Sequence, residues 1–247
     1  MSGHSKWSQI KRQKGAADVK RGVVFTKMTR EIMLAAREGG GDPEANFRLR
    51  LAMDRARAVN MPLANIQRAI ERATGGGDGT QLESVVYEGY APGGVSVMVE
   101  AATDNRNRTA SEIRAAFTRA GGKLGESGSV QWLFEQKGIV EIDAAGRSID
   151  DVQLVAIDAG AEDVEVDGSL ITIYTTPTAF EAVKKAIEAA GIPVSSAEIS
   201  MRPTNSVRVD GDHAQQVIRL VEALEDLDDV QKVHANFDIP VEVLQHA

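Results

Sequence analysis

Hydrophobic positions along the chain follow two periods, and the change from one to the other divides it. Up to residue 74 the spacing is helical. Phe25, Met28, Ile32, Ala35 and Ala36 fall three and four apart, which predicts a helix over 16–37 that stops at Gly39–Gly41. Asp42–Pro43 reads as an N-cap with proline at the first helical position, ahead of Phe47, Leu51, Ala52 and Ala56. Asn60 closes that segment, and Met61–Pro62 opens a short third helix with Ile66, Ala69, Ile70 and Ala73. Gly75–Gly79 ends the region as a flexible joint.

From Leu82 short apolar runs bounded by turn residues predict strands. Val85–Tyr90 and Val95–Ala102 form a hairpin across Ala91–Gly94. Thr103–Arg108 is a wholly polar turn, and Thr109 with Glu112 three residues on reads as a capping box. Ile113, Ala116, Phe117 and Ala120 continue as one apolar stripe, closed by Gly121–Gly122. Ser129–Gln136 is then a strand. A compact set follows: strand Ile139–Ile142, helix Asp150–Ala159 capped by Ser148, strands Asp163–Val166 and Leu170–Tyr174, a helix from Thr176–Pro177 to Ala190, and strand Val194–Met201. That β-α-β-β-α-β order is the ferredoxin-like unit. Strand Ser206–Asp210, helix His213–Leu227 capped by Asp212, and strand Val230–Asp238 are too few to stand alone, and they complete the earlier three strands and helix.

The expected fold class is therefore α+β with three domains: a helical domain, then two α/β sandwich domains of ferredoxin-like type, one inserted in the other. The boundaries expected are a basic helical domain over 1–79, a discontinuous middle domain over 80–135 and 204–240, an inserted domain over 136–203, and a tail over 241–247.

Charge changes this picture. The net charge is −8, yet residues 1–30 carry eight Lys/Arg against one acid, Asp18. Residues 31–80 are neutral, and residues 81–247 hold thirteen bases and twenty-eight acids. A basic arm on an acidic body points to an anionic partner for the arm. Lys6, Lys11, Arg12 and Lys14 flank Trp7, with Lys20, Arg21, Lys27 and Arg30 following. Phosphate neutralisation beside a stacking aromatic is how RNA is often held. The alternative is a solvated helix face with Trp7 in a local core. DNA also stays open, although no helix-turn-helix pattern is evident.

The turn after Thr103 holds Asp104, Asn105, Arg106, Asn107 and Arg108 next to a helix start, where free N–H groups and the macrodipole favour negative charge. It reads either as an anion contact or as a solvated turn in which Asp104 pairs with one Arg and the Asn side chains satisfy the backbone.

The remaining chemistry is sparse. No apolar run reaches the eighteen residues of a membrane span, and the N-terminus has no apolar h-region, so no membrane partner and no secretion are expected. There is no Cys, and four His lack metal-ligand spacing, so neither a metal nor a cofactor is expected. Lys123 precedes Leu124, so no phosphate-binding P-loop forms. Ser129 stands where a nucleophile elbow needs Gly. No catalytic constellation or small-molecule substrate is expected.

Several blocks, in order, resemble the YebC family: GHSKW at Gly3–Trp7, the basic run from Ile10 to Arg21, NMP at Asn60–Pro62, YEGYAPGG at Tyr87–Gly94, TDNRNRT at Thr103–Thr109, and GGKLG with GSV between Gly121 and Val130. The resemblance runs from Gly3 to about residue 240. It implies a helical N-terminal domain with two α/β domains, one inserted in the other, in a bacterial cytoplasmic protein without a transit peptide. It also implies one of two roles. Members are widely named probable transcriptional regulators, while a mitochondrial translational activator of cytochrome oxidase and bacterial relatives linked to stalling on proline-rich stretches act on translation. The partner expected is nucleic acid, either rRNA and tRNA on the ribosome or promoter DNA.

Overall fold

The computed structural model describes residues 21–75, 82–144 and 146–239. The chain is α+β, with seven α-helices among the described residues and two four-stranded antiparallel sheets. It divides into two compact units, one formed by Leu133–Thr204 and the other by the chain before and after it.

The larger unit begins with three helices, α1 (Arg21–Gly39), α2 (Phe47–Ala58) and α3 (Leu63–Thr74). Their shared core holds Ile32, Ala36, Leu49, Met53 and Ile66, all buried. Helix α1 ends where Gly40 adopts φ +87°, a left-handed stop that glycine takes without strain. The cap of α2 differs from the sequence expectation. Asn46 rather than Asp42 holds it, because both ends of its buried amide find partners there. Its Oδ1 accepts from Leu49 N–H at 3.0 Å, and its Nδ2 donates to Ala35 O and Gly40 O at 2.7 and 2.8 Å. One side chain thus closes α1 and opens α2.

The first sheet runs in the order β3 (Lys123–Leu124), β1 (Glu83–Ala91), β2 (Val95–Thr103), β9 (Val230–Ala235). Strands β1 and β2 form the expected hairpin, joined by a 3-10 turn at Pro92–Gly94. Helix α4 (Arg106–Arg119) leads from β2 to the short edge strand β3. Strand β9 lines the other side of β2, its register shifting between Glu100 and Ala101. Helix α7 (Gly211–Glu225) joins α4 on one face, burying Val97, Val99, Phe117, Val217, Val221 and Val233 together. The expected capping box at Thr109 is not used. Asn105 caps α4 instead, its Oδ1 accepting from Arg108 N–H at 3.1 Å, and Thr109 lies buried inside the helix. The strand expected to 238 is interrupted at Asn236, whose side chain accepts from Ser96 N–H at 2.8 Å. Beyond it β10 (Phe237–Asp238) pairs with β8 (Val207–Arg208) in parallel.

Glu88 on β1 organises the loop after β3. Its carboxylate is buried and accepts from the backbone N–H groups of Gly128, Val130 and Gln131 at 2.6, 2.7 and 2.8 Å. Burial alone would raise this carboxyl; the three N–H donors outweigh it and hold it below the usual range.

The smaller unit contains β4 (Phe134–Asp143), α5 (Ile149–Asp158), β5 (Asp163–Asp167), β6 (Leu170–Thr175), α6 (Phe180–Ala189) and β7 (Ser196–Pro203). Its sheet order is β5-β6-β4-β7, antiparallel throughout. Ser148 caps α5 as expected, accepting from Asp151 N–H. The two strands expected over 129–136 and 139–142 are instead one, β4, which passes through Gly138. A Cβ there would meet Thr175 Oγ1 at 2.3 Å and Phe180 Cδ2 at 2.5 Å, so glycine lets the strand run under α6. Residues 129–133 form a loop and a 3-10 turn.

Candidate nucleic-acid interface

Lys6, Trp7, Lys11, Arg12, Lys14 and Lys20 lie outside the described residues. Arg21 is the first residue of α1. The two later cations of the basic stretch, Lys27 and Arg30, sit one turn apart on α1 and reach into the molecule. Lys27 Nζ donates to the main-chain oxygen of Glu225 and Arg30 to that of Asp228. These carbonyls belong to the last residue of α7 and the turn beyond it. Helix α7 has no basic residue in its own last turn, so cations from α1 answer the negative end of its dipole.

Asp229 lies beside them. Its side chain is 3% exposed and collects four groups from three segments. Arg30 approaches Oδ1 at 2.8 Å and Arg108 approaches Oδ2 at 2.7 Å. The Thr109 and Thr103 hydroxyls lie 2.6 and 3.2 Å from Oδ2. Burial pushes the carboxyl up, but the Thr109 and Arg108 hydrogen bonds and the Arg30 charge prevail, so it ionises below the ordinary value.

The polar turn is thus divided in its work. Asp104 pairs with Arg108 at 2.7 Å, Asn105 caps the helix, and Arg108 joins both to Asp229. Arg106 faces solvent with a side chain 65% exposed and meets Glu83 on β1. Asn107 is exposed and has no partner among the described residues. Of the two arginines, only Arg106 is displayed outward without a buried partner.

A cleft of about 800 Å³ opens between α1 and α3, bordered by Leu82 and Asp104. Phe25, Met33 and Met61 give it an apolar side; Thr26, Thr29 and Asn65 add polar groups; Arg30, Arg68 and Arg72 add positive charge, against Glu71 and Asp104. Arg68 bonds back to Ala64 O and to Asn65, and Arg72 has no partner among the described residues. Arg68 and Arg72 lie outside the basic stretch that the sequence singles out. Their i,i+4 spacing on a predicted helix was the available signal. Asp229 offered none, because its partners are far away in the chain.

The sequence profile of the TACO1/YebC N-terminal domain matches residues 5–76, and that of the TACO1/YebC second and third domain matches residues 82–237. The chain belongs to the TACO1/YebC family. A relative from Rubrobacter xylanophilus, named a probable transcriptional regulatory protein, is 56% identical over 99% of this chain and 98% of its own. One from Roseiflexus castenholzii, with the same name, is 54% identical at the same coverage. Among solved structures, a conserved hypothetical protein of Aquifex aeolicus superposes with a TM-score of 0.83 at 50% identity, covering 90% of this chain and 92% of its own. The relatives' names describe regulators. Among the described residues, no helix is long and apolar enough to cross a membrane.

Proposed function

We propose that this protein is a nucleic-acid-binding regulator of gene expression that acts without catalytic chemistry, in the cytoplasm, as a ribosome-associated translation factor helping synthesis through proline-rich stretches. The observation that carries the reading is the separation of charge. Positive charge is concentrated in residues 1–30, while the cations at the heart of the folded body are turned inward onto Asp229. An acidic body cannot wrap a polyanion evenly, so contact falls to the arm and to isolated basic points. Folded RNA suits such contacts, since it is recognised by shape and backbone. In this reading Lys6, Lys11, Arg12, Lys14, Lys20 and Arg21 hold phosphates around Trp7, and Arg106 with Asn107 supplies a second contact. Lys27, Arg30 and Arg108 keep a supporting role. Positioning, rather than bond chemistry, would accelerate the stalled step. We also read the Leu133–Thr204 unit as a ferredoxin-like domain inserted in a discontinuous middle domain, with the helices as a third.

The test is co-sedimentation with ribosomes across a salt series, alongside relief of proline-run stalling in reconstituted translation. A chain in which Lys6, Lys11, Arg12 and Lys14 are all changed to Gln should lose both. Retention of both would overturn the reading.

A DNA-binding transcriptional regulator is the second reading, favoured by the relatives' printed names. It requires a promoter preference well above tenfold over random duplex, since specific regulators exceed non-specific binding by about 10³ or more.

A further inference from the structure

Tyr90, on β1, and Trp132, in the 3-10 turn Gln131–Leu133, are exposed aromatic rings with no role in the site above; Trp132 is 72% exposed. Both point their polar atoms at the same acceptor. The Tyr90 hydroxyl and the Trp132 Nε1–H donate to the main-chain oxygen of Ser129, at 3.0 and 3.2 Å. With those atoms engaged, the ring atoms left to meet a ligand are the apolar carbons of the two π-systems.

The shared acceptor is itself held firmly. Glu88 fixes the N–H groups on both sides of Ser129, and Gly125 N–H donates to Glu88 O at 2.7 Å. Gly125 permits the tight path, since a Cβ there would meet Ser129 Oγ at 2.6 Å. The rings therefore stand on a buried carboxylate rather than on a loose loop. Lys123 on β3 is the register partner of Tyr90, so the two side chains share a face of the sheet, and Lys123 is exposed with no partner among the described residues. The single acid between residues 121 and 134 is Glu126.

We propose that Tyr90, Trp132 and Lys123 form a stacking platform for an unpaired base of a single-stranded nucleic acid, with Lys123 on the adjoining phosphate. The proposal rests on the nucleic-acid reading above and gives it a contact point separate from the basic arm. Every base has a π-face, so stacking on such rings is tolerant of sequence and needs no hydrogen-bond readout. A duplex keeps its bases stacked on one another and cannot present one to the platform.

The experiment uses the full chain with Trp7→Phe, leaving Trp132 as the sole indole. Its fluorescence is followed during titration with a short oligouridine, an oligothymidine of equal length and a duplex. Both single strands should quench it and the duplex should not; quenching by oligouridine alone would assign the platform to RNA. Binding of labelled oligonucleotide to Trp132→Ala and to Tyr90→Ala should weaken by about fivefold to a hundredfold. Trp132→Phe should retain most of the affinity, because it keeps a ring. Lys123→Gln should reduce the salt slope for the single strands by about 0.7.

An unquenched Trp132, or full affinity in Trp132→Ala, overturns the platform. So does quenching by a proline-rich peptide but by neither oligonucleotide, which would assign the rings to a protein ligand. If neutralising Lys6, Lys11, Arg12 and Lys14 abolishes binding while Trp132→Ala leaves it intact, the platform fails and the arm reading stands. If the chain binds neither ribosomes nor any oligonucleotide, both fail.

Discussion

Arg108 and Asp229 stand 2.7 Å apart across 121 residues of chain, and Arg30 reaches the other oxygen of the same carboxylate at 2.8 Å. The carboxylate is buried while both arginines keep some contact with water. Removing its charge leaves the two guanidiniums without their shared buried counter-ion, although Arg108 keeps Asp104, Arg30 keeps the Asp228 carbonyl and Thr109 keeps Asn105 O. Asp229→Asn should therefore cost about 2–3 kcal/mol, below the full range for breaking a buried pair because the arginines can partly rehydrate. Urea unfolding measures it. The losses in Arg30→Ala and Arg108→Ala should fail to add in the double variant, since both act on one acceptor.

Acid should weaken the fold through the same residue. Asp229 and Glu88 both ionise below their ordinary values of 3.8 and 4.5. A depressed carboxyl contributes stability that is complete above its unfolded value and is lost as pH falls through the lower, folded one. Stability should hold from neutrality to about pH 5 and then fall steeply below about pH 4.5. Circular dichroism along an acid titration records this, and Asp229→Asn should flatten the descent.

The two arginines of the polar turn should behave differently. Arg106 makes an exposed ion pair with Glu83, of a kind worth about 0–1 kcal/mol, so Arg106→Ala should leave the thermal midpoint nearly unchanged. Arg108→Ala should lower it by several degrees, as expected for about 1–2 kcal/mol in a chain of this size. Any functional loss in Arg106→Ala can then be assigned to contact. In Arg108→Ala it must first be separated from instability.

Lys27 belongs to the basic stretch by sequence and to the fold by geometry. Lys27→Gln should therefore leave the salt dependence of nucleic-acid binding unchanged while reducing stability by about 1 kcal/mol. Lys11→Gln should do the reverse, lowering the log–log slope by about 0.7–0.9. A slope loss in Lys27→Gln would show that this side chain leaves Glu225 to bind phosphate.

Gly138→Ala should loosen the smaller unit. The added methyl would overlap Thr175 and Phe180, at a cost of about 1–3 kcal/mol. Hydrogen exchange should show the loss in β4 and β6 while Val97 and Val99 on β2 stay protected.

How much of this could be read from the sequence depended on how far apart the partners lie. The apolar periods located α1, the β1–β2 hairpin and the Ser148 cap closely, because each is decided by residues within one or two turns. The Asn46 cap was missed because its reason is contact with Ala35 and Gly40 on the preceding helix. The gap left at 137–138 between two expected strands holds Gly138, and the close approach of Thr175 and Phe180 is why a glycine carries one continuous strand there. In the polar turn Arg106 and Arg108 are two residues apart and look equivalent. Only the placement of Asp229 by β9 separates them.

The sheet order has a further consequence for how the chain comes off the ribosome. Strand β2 is central, and its second neighbour, β9, is synthesised only after the whole of 133–204. Until then one edge of β2 has no partner strand, and Asp229 does not yet exist to receive Arg30 and Arg108. The smaller unit draws all its strands from one continuous stretch and can close first. A nascent chain that has emerged as far as residue 204 thus carries one unit able to close and one open β-edge, the state most exposed to mispairing.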